Sequence, residues 1–246
     1  MIDTITFDLW NTLISNTPQD ALRFREARSQ GIIKAFLTHG IKMEKEKVEK
    51  ALDLTFKRCW DFWERNIDFD SEDQIKMLME FLPDIDGTPC SDLRKRIERA
   101  YTESALQSPP DLVEGSFEIL RFLKNRKYKL GLICNTGRSP GVVLRKLLEH
   151  YQISEYFDDL TFSNELKIRK PDPQIFLFTL EKLKSKPSHS IHVGDELKTD
   201  VKGAKSAGMI AVHFDKSCAP YQEIQPDYRV EKLKEIKRIV EELEVT

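Results

Sequence analysis

Four short stretches of the sequence carry side chains that could do chemistry together. The first, MIDTITFDLWNTL, places Asp8 at the end of an alternating apolar segment. The others are ICNTG, which contains Asn135, KPDP, which begins at Lys170, and HVGDELKTD, which contains Asp195 and Asp200. A carboxylate that ends a buried strand is costly unless something compensates it. Asp8 is therefore either a nucleophile or metal ligand, or a polar cap that holds the turn after it.

Three carboxylates gathered in one cleft need positive charge beside them. Lys170 offers one such charge, and a hard divalent cation could offer another. Mg²⁺ binds a few carboxylates together with waters and phosphate oxygens, which this set of residues suits. Asp8 could then attack an electrophile whose charge is spread over metal, lysine and amide groups. Asn135 and the backbone N–H groups of its loop would hold anionic oxygens.

These side chains can meet only if the elements that carry them end at one edge of a sheet. Apolar and polar residues alternate over 4–9, which predicts a first strand. From residue 108 onward, helical and strand patterns alternate, which predicts a parallel sheet with right-handed crossovers. The later strands are predicted at 130–134, 160–163, 190–194, 209–214 and, at the edge, 228–230. All four stretches are predicted at strand ends, where ligands of open α/β sheets bind.

The interval between the first strand and this region carries helical patterns only. Apolar residues at spacings of three and four predict four helices between residues 20 and 101. Ser71 is the predicted N-cap of the third helix and Pro83 its predicted end. Trp60 and Trp63 are predicted in the core of this block. The sequence therefore predicts an α/β core of residues 1–14 and 108–246, interrupted by a helical cap domain of residues 15–107.

The composition argues against several classes of partner. The net charge of −2 over 246 residues gives no reason to expect nucleic acid or an anionic membrane. The four cysteines are far apart and form no C-x-x-C, which predicts reduced thiols rather than disulfides or a zinc site. No basic segment followed by an apolar run begins the chain, and no apolar run approaches 18 residues. We expect a cytoplasmic protein.

Taken in this order, the four stretches resemble the motifs of the haloacid dehalogenase-like hydrolase superfamily. FDLWNTL resembles its nucleophile motif, ICNTG its second, KPDP its third and HVGDELKTD its fourth. The resemblance spans the whole chain, including a cap inserted after the first core strand. It implies an α/β fold with a Rossmann-like parallel sheet core flanked by helices and an inserted all-helical cap. It also implies a Mg²⁺-dependent phosphatase that acts on a small phosphorylated metabolite through an aspartyl-phosphate.

The resemblance implies a role for each matched position. Asp8 would be the nucleophile, and Lys170 would neutralise both Asp8 and the bound anion. Asp195 would bind Mg²⁺, with Asp200 as a further ligand or as the partner of one. The backbone carbonyl of Trp10 would complete the protein's share of the metal shell.

Substrate contacts are predicted in the loops that follow the first two core strands. Trp10 would form a wall of the cleft or pack beneath the cap. The predicted substrate-binding residues are Asn11, Thr12, Cys134, Asn135, Thr136, Gly137 and Trp10; Asn135 is also predicted to be catalytic, with Asp8 and Lys170.

Two positions depart from the family pattern. Family phosphatases usually have Asp two residues after the nucleophile, where it protonates the leaving alcohol and later deprotonates water; this chain has Trp10. A missing general acid–base typically costs about 10²–10⁴-fold in rate. Cys134 stands where Ser or Thr is usual, and its S–H is a weaker hydrogen-bond donor than a hydroxyl.

Other readings stay open at this point. The aromatic at Trp10 also resembles the 2-haloacid dehalogenases, which need no acid for the leaving halide, although these lack the metal-binding acid that Asp195 matches. A regulatory protein that binds a phosphometabolite with little catalysis is a further alternative. Lys170 could be a solvated loop lysine, and Asp195 and Asp200 could cap a helix without metal. Three basic residues of the first cap helix could reach a substrate anion or form a solvated face: Arg23, Arg25 and Arg28.

Overall fold

A six-stranded parallel sheet forms the centre of the protein. The computed structural model describes residues 1–82, 90–215 and 223–245. The strands lie in the order β3-β2-β1-β4-β5-β6, and each pairs in parallel with its neighbours. Their bounds are β1 (Thr4–Phe7), β2 (Lys129–Cys134), β3 (Asp159–Phe162), β4 (Ser190–Gly194), β5 (Ile210–Phe214) and β6 (Tyr228–Val230). The predicted α/β fold is confirmed.

The strand predictions are accurate except at the end of β1. The later strands agree with their predicted bounds to within one residue at each end. β1 ends at Phe7, two residues before the alternating pattern does, because the chain turns back at Leu9. The Leu9 carbonyl accepts hydrogen bonds from the amides of Leu13 and Ile14. Asp8 therefore stands at the junction of a buried strand and a tight turn.

Between β1 and residue 108, all regular elements in the described part of the chain are helices. Their bounds are α1 (Pro18–Leu37), α2 (Lys45–Trp63), α3 (Ser71–Phe81), α4 (Ser91–Thr102) and the short α5 (Ser104–Gln107). We call α1–α5 the helical block. Its own core includes the fully buried side chains of Ile32, Phe36 and Leu78. A capping box between Thr17 and Asp20 fixes the start of α1.

The predicted cap of α3 is wrong. The side chain of Asp70, one residue earlier, accepts a hydrogen bond from the Asp73 amide, and Ser71 is the first residue of the helix. Both residue types cap helices well, so the sequence pattern alone does not separate them. The predicted stop of this helix at Pro83 lies outside the described residues.

The remaining helices cover both faces of the sheet. They are α6 (Ser116–Asn125), α7 (Gly141–His150), α8 (Ser163–Leu166), α9 (Pro173–Lys182), α10 (Lys202–Ser206) and α11 (Ile236–Val245). Apolar residues of α6, α7 and α11 pack with Leu132 of β2 in one core. Those of α9 and α10 pack with the next residue, Ile133, in another. Successive residues of a strand point to opposite faces, so both faces of the sheet are buried.

The helical block joins the sheet through two adjacent connections. Residues 13–15 run beside residues 111–113, where Ser15 donates its amide to the Asp111 carbonyl at 2.8 Å and Val113 donates to Leu13 at 2.9 Å. The block also contacts the loop after β2, since the Gln74 side chain donates to the Gly137 carbonyl at 3.0 Å. These contacts hold the block above the carboxyl ends of the strands.

Two further observations concern the chain as a whole. No helix within the described ranges combines the length and the apolar character that a membrane crossing needs. Cys59 and Cys134 are buried free thiols and Cys90 is an exposed one. Cys218 lies outside the described residues.

The helical block depends on its own apolar core, which gives a test of stability. Phe36→Ala removes a fully buried ring and should lower the free energy of unfolding by about 3–5 kcal/mol. Leu37→Ala on the same helix is the matched control, because Leu37 is 63% exposed, and should change it by less than about 0.5 kcal/mol. Urea denaturation measures both, and equal effects would contradict this packing.

Candidate active site

The predicted residues of three motifs meet at the carboxyl edge of the sheet. Asp8, Asn135 and Asp195 directly follow β1, β2 and β4, which are neighbours in the sheet. Phe7 is in register with Leu132 and Val193, so the three strands end at nearly the same level. Parallel pairing of these strands places the three polar side chains side by side.

Lys170 connects two of the carboxylates. Its Nζ lies 2.5 Å from Asp8 Oδ1 and 2.6 Å from Asp200 Oδ1. All three side chains are buried. Burial alone would lower the pKa of Lys170, but the two carboxylates outweigh it and raise that pKa above its ordinary value. Lys170 is therefore a charged ammonium that joins Asp8 to Asp200.

The position of Lys170 differs from its prediction at a strand end. It lies in the loop between α8 and α9, and the short helix α8 separates it from β3. The Asn135 side chain holds this loop: its Oδ1 accepts from the Lys170 amide at 2.8 Å and its Nδ2 donates to the Lys170 carbonyl at 2.9 Å. Asn135 therefore positions the backbone of Lys170, a contact that the sequence did not indicate.

Asp200 is held by several donors. Besides Lys170, it accepts from His192 Nε2 at 3.1 Å and from the Glu196 amide at 3.1 Å. Burial opposes its ionisation, but Lys170 and His192 outweigh burial and bring the pKa of Asp200 below its usual range. Burial also lowers the pKa of His192. His192 lies within β4, and its contact with Asp200 gives this side chain a structural role.

Gly194 makes room for this arrangement. A Cβ at this position would lie 2.2 Å from Cγ of Asp200, which no real contact permits. The glycine at the end of β4 is therefore required for Asp200 to reach Lys170.

Asp8, Asp195 and Asp200 form one acidic cluster, in which carboxylate oxygens lie within 4.8 Å of one another. Burial, followed by the charge of Asp200, raises the pKa of Asp8 to about 6 despite Lys170. Burial and the charges of Asp8 and Asp200 raise the pKa of Asp195 to about 8. The single ammonium of Lys170 does not balance the charge of three carboxylates. This all-oxygen donor set, with excess negative charge, fits a hard divalent cation.

The turn after Asp8 contains two predicted substrate-binding residues. Asn11 is exposed, has a left-handed backbone with φ of 58°, and its side chain acts to lower the pKa of Asp195 against the effect of burial. Thr12 is fully buried, and its hydroxyl has no hydrogen-bond partner among the described residues. Asn11 is thus beside the acidic cluster, whereas Thr12 is enclosed by the turn.

The loop after β2 uses most of its polar groups within the protein. Cys134 is fully buried, and burial raises the pKa of its thiol well above the ordinary value, so it stays protonated. The Thr136 amide donates to the Ser163 hydroxyl at 2.8 Å, and the two hydroxyls lie 3.2 Å apart. The Gly137 carbonyl accepts from Gln74. The Thr136 side chain therefore points to Ser163.

A cavity of about 370 Å³ lies between this edge and the helical block. Trp10 and Asn135 line it from the sheet, and Arg28, Phe56 and Trp63 line it from the helical block. Trp10 therefore forms a wall of the cavity, and its indole meets the Phe24 ring edge-on with centroids 6.3 Å apart. None of the described residues that line the cavity is acidic.

The position of Trp60 at this cavity differs from its prediction, and Arg169 was not predicted to lie here. Trp60, predicted in the core of the helical block, is 50% exposed and lines the cavity. Arg169 donates to Asp68 and to the Thr136 carbonyl, both at 3.0 Å, and lies over the Trp63 ring. The helical spacing of Trp60 fits either face of an aromatic stripe, and no signal in the sequence distinguishes Arg169 from its basic neighbour Lys170.

Comparison with known proteins identifies the family that the chain matches. A family model described as haloacid dehalogenase-like hydrolase matches residues 2–208. The glyceraldehyde 3-phosphate phosphatase of Methanopyrus kandleri is 25% identical over 257 aligned positions, which cover 99% of each chain.

Two solved structures have the same fold over nearly the whole chain. The HAD phosphatase from Thermococcus onnurineus has a TM-score of 0.69 and 23% identity, covering 97% of this chain and 98% of its own. The 2-haloacid dehalogenase from Pseudomonas syringae pv. Tomato DC3000 has a TM-score of 0.77 and 22% identity, covering 99% and 100%. Since one is named a phosphatase and the other a dehalogenase, the fold alone does not choose between the two reactions.

The acidic cluster predicts a pH-dependent stability in the absence of a divalent cation. Asp8 and Asp195 hold their protons more tightly in the folded chain, because their pKa values are raised to about 6 and about 8. With chelator, the free energy of unfolding should therefore fall as pH rises from about 4 to about 8. Asp195→Asn should reduce this fall by at least about 1.4 kcal/mol, the equivalent of one pKa unit.

Urea denaturation across this pH range measures the effect. Asp61→Asn, at an exposed position of α2, is the control and should follow the wild type. Mg²⁺ should restore stability most at the alkaline end, where the carboxylates are ionised. If the free energy of unfolding falls equally with pH in wild type and Asp195→Asn, the raised pKa of Asp195 is contradicted.

Proposed function

The chain belongs to the haloacid dehalogenase-like hydrolases, and we propose that it is a Mg²⁺-dependent phosphatase of small phosphorylated metabolites. The observation that carries this proposal is the buried ammonium of Lys170 between Asp8 and Asp200, with Asp195 beside them. A nucleophilic carboxylate that meets a phosphate dianion needs this concentration of positive charge. The phosphatase name of the Methanopyrus kandleri relative supports the same choice.

In the first step Asp8 attacks the phosphorus of the bound ester. A bond forms between a carboxylate oxygen and phosphorus while the bond from phosphorus to the leaving oxygen breaks. Lys170 donates to the Asp8 carboxylate and holds it in place. Lys170 also offsets charge on the phosphoryl oxygens, because its pKa is raised and it stays protonated.

Asp8, Asp195 and the backbone carbonyl of Trp10 are the protein groups that would hold Mg²⁺. When bound, the ion would neutralise charge on the phosphoryl oxygens and on the acidic cluster. Asp200 already accepts from Lys170, His192 and the Glu196 amide. These contacts favour a role for Asp200 in positioning Lys170 over a role as a direct ligand.

In the second step water attacks the aspartyl-phosphate, which releases inorganic phosphate and restores the Asp8 carboxylate. The Trp10 indole is too weak an acid and too weak a base to transfer this proton, so the leaving oxygen takes its proton from water. Substrates whose leaving groups are stable as anions are therefore favoured. The helical block, within residues 15–107, would act as a cap that covers the cavity and excludes bulk water.

The indole of Trp10 favours a second candidate, a 2-haloacid dehalogenase. A departing halide needs no proton, so an aromatic wall in place of an acid suits that reaction. The acidic cluster argues for the phosphatase, because a carboxylate at Asp195 serves no purpose in displacement of halide without metal.

The nucleophile is tested by Asp8→Asn with p-nitrophenyl phosphate and Mg²⁺. The variant keeps the shape of the side chain but removes the attacking carboxylate, so turnover should fall by at least about 10³-fold. Asp3→Asn, just before the opposite end of β1, is the control and should retain the wild-type rate. Release of p-nitrophenolate is the measurement.

Activity that survives Asp8→Asn would reject the aspartyl-phosphate route. Chloride release from 2-chloropropionate in excess chelator, without phosphatase activity, would identify the dehalogenase instead. Tight binding of phosphate esters without turnover of any would identify a binding protein.

The missing acid is tested by Trp10→Asp. A carboxyl group at this wall of the cavity could protonate a leaving alcohol, so hydrolysis of alkyl phosphates should rise, by up to about 10²–10⁴-fold. Aryl phosphates, which leave more easily, should gain less. Trp10→Phe keeps an aromatic wall without an acid and should show no gain. Loss of activity on both substrate types in Trp10→Asp would mean that the indole shapes the pocket.

A further inference from the structure

The cavity beneath the helical block contains buried positive charge without a carboxylate beside it. Arg28 is only 6% exposed and lines the cavity. Its Nε donates to the Tyr101 carbonyl at 2.9 Å. Its two terminal nitrogens have no hydrogen bond to any group in the described part of the chain, and no carboxylate lies within salt-bridge distance there. The guanidinium therefore retains four N–H donors for another partner.

Arg138 supplies a second such group from the loop after β2. It lines the same cavity, and its guanidinium lies over the Phe56 ring, 4.2 Å from the centroid. Its Nε is buried without a hydrogen-bond partner among the described residues. After burial, Arg138 is the main influence that lowers the pKa of Arg28, and the Tyr101 phenol acts in the opposite direction. Two guanidinium groups thus line one cavity.

Neighbouring arginines make the contrast clear, because each has a carboxylate partner. Arg23 pairs with Asp20, and Arg25 pairs with Asp53. Arg169, on the far wall of the same cavity, pairs with Asp68 at 3.0 Å. Of the two alternatives for this basic run on α1, the solvated face describes Arg23 and Arg25, which are part-exposed, but not the buried Arg28.

Burying two like charges side by side is unfavourable unless an anion joins them. Burial, followed by the charge of Arg138, lowers the pKa of Arg28 to about 9. A carboxylate or phosphate between them would accept charge-assisted hydrogen bonds from both, and guanidinium groups match the geometry of either anion. The two guanidinium groups that line this cavity therefore suit an anion between them.

The location of this charge relates it to the reacting centre. Trp10, two residues after Asp8, and Asn135, which holds Lys170, line the same cavity. Its volume of about 370 Å³ is suited to a small metabolite. A molecule whose phosphate lies at Asp8 would extend its leaving portion into this space.

We propose that Arg28 and Arg138 bind a second anionic group on the leaving portion of the substrate. This inference rests on the proposed phosphatase function and narrows it to phosphate esters of small molecules that carry a carboxylate or a further phosphate. Glyceraldehyde 3-phosphate, in the name of the Methanopyrus kandleri relative, has no such second group. The two proteins should therefore differ in substrate choice.

Matched pairs of substrates test the proposal with the whole chain and Mg²⁺. 2-Phosphoglycolate is compared with 2-hydroxyethyl phosphate, and propane-1,3-diol bisphosphate with 3-hydroxypropyl phosphate. The charged member of at least one pair should have a kcat/KM about 10- to 100-fold above its neutral partner, as expected for a charge-assisted contact. The pair that shows the larger ratio identifies the anion as a carboxylate or a phosphate.

Substitution of the arginines should abolish this preference. In Arg28→Gln and Arg138→Gln the ratio of charged to neutral kcat/KM should fall towards one. Arg28→Lys, which keeps the charge, should retain part of it. Arg58→Gln removes an arginine of α2 that pairs with Glu80 on the surface and should leave the ratio unchanged.

A binding measurement keeps the test independent of catalysis and of folding. The Asp8→Asn protein in chelator is titrated calorimetrically with 2-phosphoglycolate and with the bisphosphate, and addition of Arg138→Gln should raise the Kd of the preferred one by about tenfold or more. Equal ratios for both pairs, with binding unaffected by Arg138→Gln, would overturn the anion site. In that case, Asp8-dependent turnover of p-nitrophenyl phosphate would still support the phosphatase. Conversely, arginine-dependent binding without such turnover would reject the phosphatase and leave the anion site supported.

Discussion

The bridge that Lys170 makes between Asp8 and Asp200 constrains the whole sheet edge. An ammonium and two carboxylates in a buried space are tolerated only when each is closely paired, and the 2.5 Å and 2.6 Å contacts meet that condition. Several other features follow from it. Asn135 holds the Lys170 backbone, His192 holds Asp200, and the glycine before Asp195 leaves room for Asp200 to approach.

The bridge also explains why a further cation suits the site. One ammonium satisfies two carboxylates, but Asp195 is the third, and its pKa rises to about 8 because burial and the neighbouring charges disfavour its ionised form. The protein has no second ammonium among the described groups of this cluster. A site assembled for Mg²⁺ has this imbalance, since the ion supplies the missing charge only when it binds.

Much of the sheet edge could be predicted from the sequence, because motif order and strand periodicity both reflect local chain chemistry. The strands and the approach of Asp8 to Asp195 follow from alternation and from parallel pairing. The rest depends on tertiary packing. Lys170 lies after a short helix that no periodicity revealed, and Arg28 has the same sequence context as its solvated neighbours. The buried Arg28 makes its hydrogen bond to the carbonyl of Tyr101, which lies 73 residues away in the sequence.

Under the proposed function, the sheet edge and the helical block contact different parts of the substrate. The sheet edge concentrates negative side chains around one ammonium, which suits reaction at phosphorus whatever the rest of the substrate is. The helical block presents aromatic walls and Arg28, which can act only on the leaving portion. The loop after β2 belongs to both, because it holds Lys170 through Asn135 and brings Arg138 to the cavity. A substrate that engages Arg138 would therefore contact the loop on which the position of Lys170 depends. Under the proposed function, recognition of the leaving portion and alignment of the reacting groups then rest on one segment.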